Sequence, residues 1–138
     1  FELGSGWGGL AAGIAGTIPA PATQCVRGHE RSVVPYVVSR LLRQRSPLLT
    51  FHRRDITDAV VQARSGDVLI SYLCPEQMQR LSAAILARQD RDPVTLTLTS
   101  FTFALPGSPP AEVHPLPTLY RDRLYRYAIS GAATVVPP

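Results

Sequence analysis

The chain has 138 residues, of which 45% are hydrophobic and 17% charged, and its formal net charge is +4 at pH 7. This length fits one domain with a single core. The sequence contains no run of eighteen apolar residues, so it predicts no membrane span. All 14 basic residues are arginines, and they are scattered, so the composition predicts no clear nucleic-acid-binding patch. Cys25 and Cys74 are too few for a disulfide framework or a zinc site, and they fit a reducing, cytoplasmic compartment.

The first half of the chain alternates short strands with helices. We predict strands that end at Glu2 and that cover 24–28 and 48–52. Each is followed by a helix: the first covers 8–15, the second covers 33–42, and the third runs through Ala63 and is capped by Thr57. The strand at 67–72 follows, and its nearly continuous apolar character is typical of a buried parallel strand.

The second half predicts one more helix and an antiparallel edge. Pro75 opens the helix, whose apolar stripe is predicted to consist of Met78, Leu81, Ile85 and Leu86. The strand at 94–99 is expected to continue through 101–105, and strands near 112–116 and 124–129 form a hairpin. The sequence thus predicts an α/β fold, a doubly wound and mostly parallel sheet with an antiparallel edge hairpin, in one domain over 1–129 with a tail at 130–138.

Polar residues fall at the predicted ends of several strands: Glu2, Glu30, Asp55 and Tyr72. Ligands bind doubly wound sheets at the carboxyl ends of the strands, near the switch point of the topology. A glycine-rich turn follows Glu2, where it would let the backbone approach a nucleotide-like ligand while the free N–H groups of the next helix face it. Gly4, Gly6 and Gly9 also satisfy the spacing found in dinucleotide-binding folds, so an NAD-dependent oxidoreductase is an alternative.

The residues from Glu2 to Gly8 resemble the first motif of the class I S-adenosylmethionine-dependent methyltransferases, and the resemblance extends over nearly the whole chain. It implies S-adenosylmethionine as the cofactor. By this resemblance Gly4, Ser5, Gly6 and Gly8 pack along the cofactor, while Glu2 faces its methionine portion.

The later strand ends carry the rest of the implied site. Glu30 matches the acidic residue that accepts both ribose hydroxyls, because a carboxylate offers two acceptor oxygens to two donors. Asp55 resembles the residue that accepts a hydrogen bond from the adenine amino group, and Ile56 the one that packs on the ring. Tyr72 is the candidate for shaping the methyl-transfer site, with Glu76 as a nearby polar contact. No metal site is predicted, because His29, His52 and His114 lack ligand-like spacing.

Three segments, 67–78, 102–107 and 119–125, resemble a smaller subgroup that includes mitochondrial protein-lysine methyltransferases and bacterial relatives. The resemblance implies a protein side chain, most simply lysine, as the methyl acceptor. Ser71 to Pro75 replace the Asn/Asp-Pro-Pro-Tyr motif of enzymes that methylate amino groups of nucleic acids and glutamine, which argues against those substrates.

The sequence begins at Phe1, already inside a strand, so we expect further residues before it. The helices that precede the first strand in this superfamily, and any targeting segment or membrane anchor, would lie there. A domain that binds the cofactor without catalysis therefore stays open as an alternative.

Overall fold

The computed structural model describes residues 1–19, 23–44, 46–117 and 122–130. The strands are β1 (Glu2–Leu3), β2 (Val26–His29), β3 (Leu49–His52), β4 (Val68–Ser71), β5 (Leu96–Phe101), β6 (Glu112–Pro115) and β7 (Arg123–Ile129). The helices are α1 (Gly9–Thr17), α2 (Val33–Arg43), α3 (Ile56–Gln62) and α4 (Pro75–Arg91). The predicted alternation of strands and helices is confirmed, with boundaries shifted by one or two residues in most elements.

The strands form one sheet in the order β3-β2-β1-β4-β5-β7-β6. Neighbouring strands from β3 through β5 pair in parallel, whereas β7 is antiparallel to both β5 and β6. The predicted antiparallel hairpin at the edge is confirmed. Its second strand lies inside the sheet, so β6 forms the edge and runs in the same direction as β1 to β5.

Helices cover both faces of the sheet because the chain winds outward in two directions from β1 and β4. One core packs α3 and α4 against the sheet, with Leu3, Leu69 and Leu98 among its buried residues. A smaller core packs α1 against β2 and β3 through Ala11, Val26 and Phe51, among others. The carboxyl ends of the central strands consequently converge on one edge of the domain.

The apolar stripe predicted for α4 is only partly right. Met78, Leu81 and Ile85 are buried, but Leu86 is 60% exposed. Leu86 lies about 100° further round the helix than Ile85, at the margin of the stripe, and there it faces solvent.

The predicted extension of β5 to residue 105 is wrong, because Thr102 has a φ of 69° and this left-handed conformation breaks the strand. The chain then folds back over the sheet beside α4. The Leu105 N–H donates to the Tyr127 hydroxyl at 2.7 Å, and the Ser82 hydroxyl donates to the Pro106 carbonyl at 2.8 Å. The segment that joins β5 to β6 is therefore a short loop that packs over the sheet and contains no helix.

Candidate functional site

A cavity of about 270 Å³ lies where β3, β2, β1 and β4 end. Five of the predicted site residues line it: Gly4, Glu30, Asp55, Ile56 and Tyr72. The other lining residues are His29, Arg31, Ser32, Arg54, Leu73, Cys74 and Gln77. Four consecutive strands of the sheet thus each deliver at least one predicted side chain or glycine to the same cavity.

The turn after β1 is built on glycines with left-handed backbone. Gly4, Gly6 and Gly8 have φ values of 71°, 50° and 75°, a region that L side chains rarely adopt. Gly8 is also sterically required, because a Cβ there would come within 2.6 Å of Phe51 Cζ. Close packing against β3 therefore fixes how the turn enters α1.

Most N–H groups of this turn are bonded inside the protein. The Gly4 and Ser5 N–H groups both donate to the His29 carbonyl at 2.9 Å, and the Gly8 N–H donates to the Ser5 carbonyl at 2.8 Å. The Gly6 N–H donates to Glu30 Oε2 at 2.9 Å. These four donors are consequently satisfied without a ligand.

The Glu30 carboxylate spans the gap between the glycine turn and the start of α2. Its Oε2 atom accepts the Gly6 N–H, and its Oε1 atom accepts the Ser32 N–H at 2.7 Å. A carboxylate oxygen has two acceptor sites, so each oxygen keeps one. Glu30 is therefore held in place and can still accept two further hydrogen bonds.

Glu2 lies on the other side of the turn. It is only 6% exposed, and its Oε2 atom accepts the Ala11 N–H of the first turn of α1 at 3.1 Å. Burial raises the pKa of this carboxyl group to about 7. Glu2 borders a separate cavity of about 550 Å³ rather than the one lined by Glu30. The expectation that free helix N–H groups face a ligand is thus incorrect at Ala11, whose N–H serves Glu2.

Asp55 begins α3 and also borders the cavity. Its Oδ1 atom accepts the Thr57 N–H at 3.1 Å, so the predicted cap at Thr57 is wrong and Asp55 is the N-cap. Asp55 precedes the first helical residue, where a short carboxylate reaches the orphan N–H groups. Burial by itself would raise the pKa of Asp55, but the Thr57 N–H and the Arg80 guanidinium outweigh it and lower the pKa.

The segment after β4 forms the opposite wall. Tyr72 is 67% exposed, whereas Ser71 is buried and its hydroxyl donates to Met78 Sδ at 3.8 Å. Leu73 packs over the glycine turn, where its Cδ2 atom lies 2.6 Å from the place a Cβ of Gly4 would occupy. The structure therefore places Tyr72 at the rim, directly after the strand that neighbours β1.

The remaining predicted residues, Ser5, Gly6 and Gly8, build the turn but do not line the cavity. Conversely, sequence reasoning missed Gln77 and Arg80 of α4. Arg80 Nη2 donates to both Asp55 oxygens, at 3.2 and 3.1 Å. The two residues are separated by 25 positions, and no local pattern signals a contact that depends on how α3 packs against α4.

His29 was also missed as a wall residue. It is 1% exposed, and neither ring nitrogen has a hydrogen-bond partner among the described residues. Burial, and secondarily the neighbouring His52, lower the pKa of His29 to about 4. His29 is therefore neutral at physiological pH.

Metal-ligand clusters and membrane-spanning helices are absent from the described ranges. No group of three or more His, Cys, Asp or Glu side chains in these ranges is arranged to hold a metal ion. In the same ranges no helix has the length and apolar character required to cross a bilayer.

The sequence matches no protein-family model and no curated protein. Solved structures do resemble it. An RNA methyltransferase from Salinibacter ruber in complex with S-adenosyl-L-homocysteine is 23% identical, with a TM-score of 0.71 over 93% of this chain and 78% of its own. The magnesium protoporphyrin IX methyltransferase from Synechocystis PCC 6803 with bound S-adenosylmethionine is 17% identical, with a TM-score of 0.58 over 94% of this chain and 68% of its own.

Both neighbours superpose on more than nine-tenths of this chain, although they are only 23% and 17% identical to it. At such identities the likeness concerns the fold. Together with the strand order and the antiparallel β7, it shows that this chain has the fold of the class I S-adenosylmethionine-dependent methyltransferases.

Proposed function

We propose that this protein is an S-adenosylmethionine-dependent methyltransferase whose acceptor is a protein side chain, most simply lysine. The observation that carries the proposal is the arrangement of Asp55, Glu30, Gly4 and Tyr72 around one cavity, at the ends of β3, β2, β1 and β4. Three strand spacings separate the first from the last, ~14 Å in all. That span suits an extended nucleoside that carries an amino-acid chain.

The two carboxylates fit the two polar parts of an adenosyl group. Glu30 keeps one acceptor site on each oxygen, which matches the two donors of a vicinal diol. Asp55 keeps an acceptor site on Oδ2 for an amino group, and the apolar side chain of Ile56 follows it. The ribose would thus lie at β2 and the adenine at β3, with the methionine portion toward Gly4.

The glycine turn favours this ligand over NAD. A dinucleotide needs free backbone N–H groups to bind its pyrophosphate. Those of Gly4, Ser5, Gly6 and Gly8 are already bonded within the protein. A cofactor without phosphate needs close approach to the turn but not its donors.

When bound, S-adenosylmethionine supplies an electrophilic methyl group for an in-line displacement. The protein's part is to align the two reactants and to exclude water. Leu73 closes over the glycine turn, and Tyr72 stands at the rim next to it. We assign Tyr72 the role of shaping the methyl-transfer site, and we assign no general base.

The choice of a protein acceptor rests on the sequence resemblance of 67–78, 102–107 and 119–125, of which residues 119–121 lie outside the described residues. Two observations support it. Ser71 stands where the amino-group methylases have Asn or Asp, and its hydroxyl is buried and donates to Met78 Sδ, so no side-chain amide or carboxylate faces the amino group of a base at this position. The aromatic residues Trp7, Tyr72 and Phe103, which follow three neighbouring strands, are exposed and offer contact area for a polypeptide.

Calorimetric titration of the full-length protein with S-adenosylmethionine, S-adenosylhomocysteine and NAD tests the cofactor. We expect both adenosyl compounds to bind and NAD not to bind. Binding of NAD alone would overturn the proposal. Binding of the adenosyl compounds without methyl transfer to any acceptor would indicate a domain that binds the cofactor without catalysis.

The acceptor requires a separate assay. Cell lysate is incubated with the protein and with cofactor labelled in its methyl group, and is then digested with protease or with nuclease. We expect protease to release the label and acid hydrolysis to yield methyl-lysine. Label that only nuclease releases would overturn the protein acceptor while leaving the methyltransferase activity in place.

A further inference from the structure

One guanidinium connects two residues of the cavity wall that lie on different elements. Arg80 Nη1 donates to Gln77 Oε1 at 3.0 Å, and Arg80 Nη2 donates to Asp55 Oδ1 and Oδ2 at 3.2 and 3.1 Å. Gln77 and Asp55 both line the 270 Å³ cavity. Arg80 therefore holds the Gln77 amide and the Asp55 carboxylate side by side.

The hydrogen bonds determine what each residue still offers. Asp55 Oδ1 accepts from the N–H and the hydroxyl of Thr57 as well as from Arg80. Oδ2 accepts from Arg80 alone within hydrogen-bond distance, since Arg31 Nη1 is 3.9 Å away. The carboxylate thus keeps its free acceptor site on Oδ2.

Arg80 also fixes the orientation of the Gln77 amide. A guanidinium has donors only, so the amide must turn its oxygen toward Arg80 and its nitrogen away. Within the described ranges, the Gln77 nitrogen donates no hydrogen bond to the protein. Of these two residues that line the cavity, Asp55 thus keeps an acceptor site on Oδ2 and Gln77 keeps a donor on Nε2.

We propose that Gln77 is a specificity-determining residue that donates to N1 of the adenine ring, and that Arg80 is the positioning residue that pairs it with Asp55. This inference rests on the proposed function and extends it. Adenine carries a donor, the 6-amino group, beside an acceptor, N1. Hypoxanthine instead has an acceptor, the 6-oxo group, beside a donor, N1–H. Its acceptor would therefore face the acceptor Asp55 Oδ2, and its donor would face the donor Gln77 Nε2. A site built this way rejects the reversed base because its polar groups lose their partners.

The test is equilibrium binding of S-adenosylhomocysteine and of S-inosylhomocysteine, its hypoxanthine analogue, to the full-length protein. For the unchanged protein we expect the adenosyl compound to bind at least about thirtyfold more tightly, which corresponds to two hydrogen bonds. Gln77→Leu should weaken adenosyl binding about tenfold and leave inosyl binding unchanged or improved. The ratio of the two affinities should therefore fall by about tenfold or more.

Two variants at position 80 separate positioning from charge. Arg80→Met keeps the stem and should reduce the affinity ratio. Arg80→Lys keeps the charge, but a single ammonium lacks the fork that bridges two partners, so it should not restore the ratio. Gln79→Leu and Arg91→Met, at exposed positions of α4, are the matched controls and should bind like the unchanged protein.

The outcomes separate this inference from the proposed function. An affinity ratio that Gln77→Leu leaves intact, in a protein that binds S-adenosylhomocysteine, would overturn the role of Gln77 and keep the cofactor assignment. A ratio restored by Arg80→Lys would overturn the positioning role of Arg80. If the unchanged protein binds neither compound, the proposed function fails and this inference fails with it.

Discussion

Glu30 Oε2 accepts the Gly6 N–H at 2.9 Å, so the residue after β2 holds the turn after β1 in place. The same carboxylate accepts the Ser32 N–H through its other oxygen. Glu30 thus organises the protein on one side and keeps two acceptor sites toward the cavity on the other. A substitution at this position should therefore affect the turn and a bound ligand together.

Replacing Glu30 should weaken cofactor binding with the fold retained. Glu30→Ala removes all acceptor sites, and we expect at least a tenfold loss of affinity for S-adenosylhomocysteine by calorimetry. Glu30→Gln keeps one oxygen and should fall between Glu30→Ala and the unchanged protein. Asp90→Ala, at an exposed acidic residue of α4, is the control and should bind normally. Unchanged affinity of Glu30→Ala would remove Glu30 from the site.

Two glycines of the same turn should differ in their tolerance of alanine. Gly8→Ala brings a Cβ within 2.6 Å of Phe51 Cζ and 2.8 Å of Ser39 Cβ, in addition to strain at a φ of 75°. We expect its free energy of unfolding to fall by roughly 2–5 kcal/mol. Gly6→Ala meets no atom within 4 Å and carries the backbone strain alone, about 1–2 kcal/mol. Urea denaturation measures both, and equal losses would contradict the steric argument.

Stability should depend on pH through His29. Its pKa is lowered from 6.5 to about 4 in the folded protein, so between these values the unfolded chain binds a proton that the folded protein does not. The contribution of neutral His29 to the free energy of unfolding is therefore fully present above pH 6.5 and is lost as the pH falls toward 4. The free energy of unfolding lost in this way amounts to about 3 kcal/mol.

Glu2 has the opposite effect, because its raised pKa of about 7 favours the folded protein as the pH falls toward 4.5. The difference between the unchanged protein and His29→Leu isolates the histidine. We expect His29→Leu to gain relative stability progressively below pH 6.5 and to keep a constant difference above it. A difference that stays flat for His29→Leu across this pH range would contradict the prediction.

The two cysteines provide an internal comparison for ligand binding. Cys74 borders the 270 Å³ cavity, whereas Cys25 borders the separate one, and both are exposed. S-adenosylhomocysteine at ten times its dissociation constant should slow alkylation of Cys74 about tenfold, because only the fraction of protein without bound ligand reacts. Cys25 should react at the same rate with and without ligand. Peptide mapping by mass spectrometry measures both, and equal slowing at the two cysteines would place the ligand elsewhere.

The predictable part of the site was the part fixed by strand ends. Glu30 and Asp55 each follow a strand of the predicted strand–helix alternation, and parallel strands bring their carboxyl ends to one edge. The roles of Gln77 and Arg80 depend on the packing of α4 beside α3, which no local pattern encodes. The order of β6 and β7 was likewise not predictable from a hairpin. It is determined by tertiary contacts, such as the buried Tyr127 that meets the Leu105 N–H.

The position of β7 has a consequence for how the chain reaches its final form. This strand is made after both of its neighbours, yet it pairs with β5 on one side and β6 on the other. During synthesis, β5 therefore stays an open edge until residue 129 has left the ribosome. An unpaired edge of that kind attracts other strands. The completion of the sheet, and with it protection from aggregation, is thus a late event in the life of each new molecule.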